Sequence, residues 1–127
     1  MKKTMKAVAA TALTVLVLLV NPQANANDHP RYTVTDLGTL GGGTSYALDI
    51  NNKGQIAGFS TLAGDLARHA VISAPNGGAL TDLGTLGGTD SYAWGINDVG
   101  QVAGYYYTTV GTARAFKSAP NGGVNRP

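Results

Sequence analysis

The chain has 127 residues, a formal charge of +2, no cysteine and no glutamate. Absence of cysteine excludes a disulfide framework, a thiol nucleophile and a lipid-modified cysteine. Three of its nine basic residues, Lys2, Lys3 and Lys6, precede the apolar run Ala7 to Val20, which Pro22 and the small residues of Ala24-Asn25-Ala26 follow. That order is a secretory signal with its cleavage site, and the run is shorter than the about 20 residues a membrane span requires.

Residues 1–26 are therefore expected to be removed, leaving a chain secreted to the periplasm or the medium with no membrane span. From Asn27 onward six basic residues stand against seven aspartates, a net charge of −1. No basic patch remains for phosphates, which argues against nucleic-acid binding. Residues 27–31 read as a disordered leader. The remainder suits one small domain, rich in Gly, Thr, Val, Ile and Tyr and without helical periodicity, which predicts an all-β fold of short strands.

The strands come in two sets. At an offset of 46 residues, TDLGTLGGGTSYALDINNKGQIAGF lies over TDLGTLGGTDSYAWGINDVGQVAGY. The match resumes at SAPNGG after one residue is lost near His69, and about half of the aligned positions are identical. The first copy spans 35–80 and the second 81–124, within a repeat region of 32–127. In the first copy SYALDIN, QIAGFS, RHAVIS and ALTDLG read as strands; in the second, SYAWGIN, QVAGYYY and RAFKS. Gly54 and Gly100 close the turns after the first strand, where positive φ is expected. Pro75 and Pro120 open the SAPNGG turns. YTVTDLG, residues 32–38, repeats the ALTDLG motif and reads as an eighth strand. Four antiparallel strands per repeat at this spacing predict two β-propeller-like blades.

The string DLGTLGG…SYA…IN..GQ(I/V)AG, with a His-Ala-aromatic element after it, resembles the HAF family of extracellular repeats. The resemblance covers Tyr32 to Gly123. Its namesake tripeptide is degenerate here, as His69-Ala70-Val71 and Arg114-Ala115-Phe116. The resemblance implies a secreted bacterial β-repeat protein and carries over no biochemical role.

Motifs with chemical meaning read mainly as structure. Gly38-Thr39-Leu40-Gly41 lacks the following helix and lysine of a phosphate loop and reads as a connector. A calcium loop at Asp49–Gly54 would place Lys53 and Ser60 at ligand positions, and Gly95 replaces Asp49 in the second copy; weak calcium binding at Asn97-Asp98 stays open. Asp36 and Asp82, the only repeated carboxylate pair, read as turn caps before Leu-Gly. His29 and His69 give little basis for a Ser-His-Asp arrangement. No catalytic residue, cofactor or metal is expected.

Aromatic residues remain. Tyr105 and Tyr107 share one face of their strand by alternation, opposite Val102, Gly104 and Tyr106. Trp94 stands where the first copy has Leu48. These rings either fill the space between sheets, the reading favoured for Trp94, or form a stacking platform for a glycan or a surface protein. The sequence thus points to a non-enzymatic binding or display module, with a lectin-like protein as the alternative. A truncated piece of a larger repeat protein or hydrolase is a third reading. Two blades cannot close a propeller, and this predicts a homo-oligomeric ring, a trimer of six blades.

Overall fold

The computed structural model describes residues 31–64 and 66–123. The expected signal, most of the leader and the last four residues lie outside these. The chain divides after Thr33, and the unit from Val34 onward carries all the described strands.

The unit is all-β. Strands β1 (Gly41–Ile50), β2 (Ile56–Leu62), β3 (Arg68–Ser73) and β4 (Leu80–Asp82) form one antiparallel sheet in chain order. Strands β5 (Asp90–Ile96), β6 (Val102–Tyr107) and β7 (Ala113–Lys117) form a second. The repeat is visible atom by atom. Asn51 Oδ1 accepts from the N–H groups of Lys53 and Gln55 at 3.0 and 2.9 Å, and Asn97 Oδ1 accepts from Val99 and Gln101 at 3.2 and 2.9 Å. Ser73 Oγ accepts from Ile56 N–H, and Ser118 Oγ from Val102 N–H, both at 2.9 Å. Short polar side chains thus close the main-chain bonds that the tight turns leave open. The residue lost between copies falls in the turn joining the second and third strands of each sheet.

Two sequence expectations need correction and one gains detail. The first sheet's opening strand begins at Gly41, so half of the expected TLGG connector is strand. The two SAPNGG turns each hold one turn of 3₁₀ helix, at Pro75–Gly77 and Pro120–Gly122, with Asn76 and Asn121 at φ of 57° and 55°. Asn is among the few non-glycine residues that tolerate this left-handed region. The eighth strand, residues 32–38, is absent: residues 31–39 carry no strand. The equivalent β4 exists because it pairs with β3, through Val71↔Asp82, Ile72↔Thr81 and Ser73↔Leu80. Val34–Asp36 have no such neighbour among the described residues. Leu37 instead lies close to the turn at Gly77, where an added Cβ would be 3.3 Å from Leu37 Cδ2.

The two sheets pack against each other. Ala57, Ala70 and Ile72 of the first sheet meet Ala93 and Val102 of the second, with Leu83, Ile96 and Phe116 packed against them. The alanines allow a close approach, and the resulting core is small. Polar pairs between equivalent turns extend this contact. Asn51 Nδ2 donates to the Asn97 carbonyl at 3.0 Å, Asn52 donates to both oxygens of Asp98, and Ile96 N–H donates to Asp49 Oδ2 at 2.8 Å. The face that the first sheet turns away from the second is built from the same repeat positions as the face by which the second sheet packs.

Candidate functional site

Side chains from both sheets converge in a row of aromatic rings. Tyr46 stacks on Phe59 with centroids 4.8 Å apart and planes inclined by 18°. Phe59 meets Tyr92 edge-on at 4.9 Å, and Tyr92 lies 5.1 Å from Tyr105. Tyr105 then contacts Tyr107 edge-on at 5.6 Å and stacks on Trp94 at 6.5 Å. Offset-stacked and edge-to-face contacts at these separations are the favourable ones for aromatic quadrupoles. Six rings make one continuous surface, and it is open at both ends: Tyr46 and Trp94 are each 56% exposed.

The strand geometry explains the row. Tyr46 pairs with Phe59 across β1 and β2, and Tyr92 with Tyr105 across β5 and β6. The repeat puts Tyr46 where Tyr92 stands and Phe59 where Tyr105 stands, so the packing of the two sheets sets the four rings in sequence. Each sheet also needs a glycine opposite the row. A Cβ on Gly58 would lie 1.8 Å from the Tyr46 carbonyl oxygen, and one on Gly104 1.9 Å from that of Tyr92. The first strand bulges just after, between Ala47 and Asp49 or Ala93 and Gly95.

The structure brings together Trp94, Tyr105 and Tyr107, the three rings singled out in sequence. It also corrects the favoured packing role of Trp94, which lies at the surface. The bulge after Ala93 and the exposed side of β5 carry this ring outward. Tyr46, Phe59 and Tyr92 were missed, although the alignment of Tyr46 with Tyr92 and of Phe59 with Tyr105 held the signal. The Tyr107 phenol is shifted upward from its ordinary value, first by the neighbouring Tyr105 phenol and then by partial desolvation.

The remaining candidates have local hydrogen-bonding roles. Asp36 Oδ1 accepts from Gly38 N–H at 2.9 Å, and Asp82 Oδ1 from Gly84 N–H at 2.7 Å. Gly54 and Gly100 have φ of 67° and 73° in their turns. His69 Nδ1 lies 2.8 and 2.9 Å from the two carboxylate oxygens of Asp82. The buried serine hydroxyls donate to main-chain carbonyls, Ser60 to Thr44, Ser73 to Ala74 and Ser91 to Gly84. Asp98 and Asp49 accept from Asn52 and Ile96, so neither carboxylate points into an open loop. Asn52 also holds the Asp98 carboxyl below the usual carboxylate range, first through its main-chain N–H, then its side chain. Among the described residues no group of three or more His, Asp or Glu is placed to hold a metal ion, and no helix is long and apolar enough to cross a membrane.

Comparison of the chain with protein-family models, with curated proteins and with solved structures finds no match.

Proposed function

We propose that this is a secreted, non-enzymatic β-repeat module that binds at the cell surface through its aromatic row, its two sheets acting as propeller-like blades. The HAF-like motifs belong to this reading, as does the export signal at the N-terminus. The single observation that carries it is exposed Trp94 stacked on half-buried Tyr105 at the end of a six-ring surface. Aromatic rings rarely remain this exposed without an interface to fill.

A glycan is the sharper form of the proposal. Flat rings offer stacking area for the C–H face of a pyranose, and their phenol oxygens offer hydrogen bonds at the rim. A glycan array probed with the purified protein tests this form directly. Binding that disappears in Trp94→Ala supports it; an empty array, with capture of a cell-surface protein that needs Trp94, leaves display toward a protein partner. Loss of neither interaction in Trp94→Ala removes the aromatic row from the function.

A further inference from the structure

The two ends of the molecule are complementary. Where the first sheet packs on the second, Ser91 and Ala93 are fully buried and Ile96 packs on the core. Their equivalents on the first sheet, Ser45, Ala47 and Ile50, lie exposed, Ile50 at 62%. A groove of about 270 Å³ opens there, lined by Leu37, Ala47, Ile56, Val71 and Leu80 among others. At the other end, Ala103 and Ala115 are exposed where Ala57 and Ala70 are fully buried. Each end therefore presents one half of the contact that the protein already makes internally.

The edge of β7 that pairs with no strand among the described residues matches the unpaired Val34–Asp36 segment in the same way. Inside the chain, β4 adds to β3, Leu83 N–H donates to the Ala70 carbonyl at 2.9 Å, and Ala70 N–H donates to Ser91 Oγ at 2.8 Å. His69 on β3 then pairs with Asp82 on β4. The equivalents are Leu37, Ala115, Ser45, Arg114 and Asp36. Asp36 is exposed with only its own turn bond, and Arg114 is exposed with no ion pair among the described residues. An internal His–Asp pair thus corresponds to an Arg–Asp pair whose two members sit at opposite ends of the molecule. The chain positions matching Leu80-Thr81-Asp82 after β7 are Asn125-Arg126-Pro127, which have no acidic side chain for Arg114 and, at Pro127, no N–H.

We infer that a second copy of this chain docks head to tail, its Val34–Asp36 adding as the fourth strand on β7 with Asp36 against Arg114. Strand addition of this kind supplies main-chain hydrogen bonds along an otherwise open edge. Such a contact is heterologous, and it closes into a ring when the rotation per copy divides a full turn. Three copies give six sheets, within the 4–8 blades that propellers typically have. The aromatic row continues across the junction, Tyr105 meeting Tyr46 of the second copy as Phe59 meets Tyr92. Several positions differ from the internal contact: Lys117 stands where Ile72 does, Gly95 where Asp49 does, Arg114 where His69 does, and Ala113 and Thr44 where the Arg68–Asp90 pair does. Edge pairing and the Arg–Asp contact therefore carry more of this junction than an apolar core does.

Light scattering on protein expressed from the full sequence should give one discrete multiple of the chain mass, about three. Asp36→Arg and Arg114→Asp should each raise the concentration at which the assembly dissociates by at least about tenfold, with unchanged circular dichroism because both side chains are exposed. The double variant in one chain should restore it. Because the chain lacks cysteine, Thr35→Cys with Lys117→Cys places one thiol on each side of the junction, and oxidation should link copies into a reducible series. A monodisperse monomer, a polydisperse aggregate, or charge reversals that leave the dissociation concentration unmoved would each overturn the inference.

Discussion

The Asn51 side chain donates to the main-chain carbonyl of Asn97 at 3.0 Å, so two residues holding the same place in successive repeats bond to each other. Each also ties its own turn, but Asn51 is buried beneath the second sheet and Asn97 is exposed. Identical residues with identical local networks therefore differ only in what the next sheet adds. Asn51→Ala should cost about 2–3 kcal/mol, because it strands the buried N–H of Gln55 and the N–H of Lys53 and removes the bond to the Asn97 carbonyl; Asn97→Ala should cost about 1 kcal/mol. Denaturant titration at concentrations below self-association measures both, and equal costs would mean the cross-repeat bond adds nothing.

Two glycines in one repeat should respond for different reasons. At Gly54 the backbone is left-handed and an added Cβ would come within 3.1 Å of the Asn76 main chain. Gly54→Val should therefore destabilise by about 1 kcal/mol or more beyond Lys53→Val. Gly58 has ordinary dihedrals, but the Tyr46 carbonyl fills the space of its side chain. Gly58→Ala should cost about 2 kcal/mol or more by forcing β1 and β2 apart, and should disturb the Tyr46–Phe59 stack as well. Melting curves and the near-ultraviolet tyrosine signal report the two effects separately.

The contrast shows what was legible in the sequence. Gly54 sits in Asn-Asn-Lys-Gly, where local turn chemistry alone demands positive φ. Gly58 is required by a neighbouring strand twelve residues away, and no local signal separates it from a weak strand residue. The same division holds for the larger elements. Seven strand segments could be read because alternation and turn residues are local. Residues 32–38 carry the same motif as β4 and form no strand, because strand character depends on a pairing partner and none of the described strands pairs with them. Trp94 illustrates the remaining gap: an aromatic residue on a strand reads as core until the bulge after Ala93 is known to turn it outward.

Acid should loosen the link between the two repeats. Asp98 accepts from the Asn52 N–H and amide at 3.0 and 2.8 Å, and these bonds depress its pKa in the folded state. A depressed carboxyl stabilises the fold fully above its unfolded value, about 3.9 for Asp, and loses that contribution as pH falls through the lower folded value. Asp98→Asn should thus be less stable than the parent at neutral pH, and the difference should shrink below about pH 4. The side chain is solvent-exposed, so the effect is small and best read as a change in slope of Tm against pH. A difference that stays constant from neutral to acid pH would assign the shift no role in stability.

Export should remove the basic, apolar N-terminus. Cleavage after Ala26 follows from the small residues at Ala24 and Ala26, the two positions that the peptidase reads. Intact mass of protein recovered outside the cytoplasm should correspond to a chain beginning at Asn27. Ala24→Leu should slow processing and leave precursor in the membrane fraction; a recovered form that still contains Lys2 would contradict the assignment.

Trp94 gives the most direct test of the proposed binding surface, because it is the only tryptophan and stands at one end of the row. At 56% exposure its emission should be red-shifted and readily quenched by acrylamide. A surface ring resting on Tyr105 contributes modestly to the fold, so Trp94→Ala should cost about 1 kcal/mol or less. Stability and ligand binding then separate: the variant should melt close to the parent while losing most of its affinity for whatever the row contacts. A ligand that stacks on Trp94 should also shield it from acrylamide and shift its emission toward the blue. Blue-shifted, unquenchable emission in the free protein would instead place the ring in the core, and the binding surface would have to be sought elsewhere.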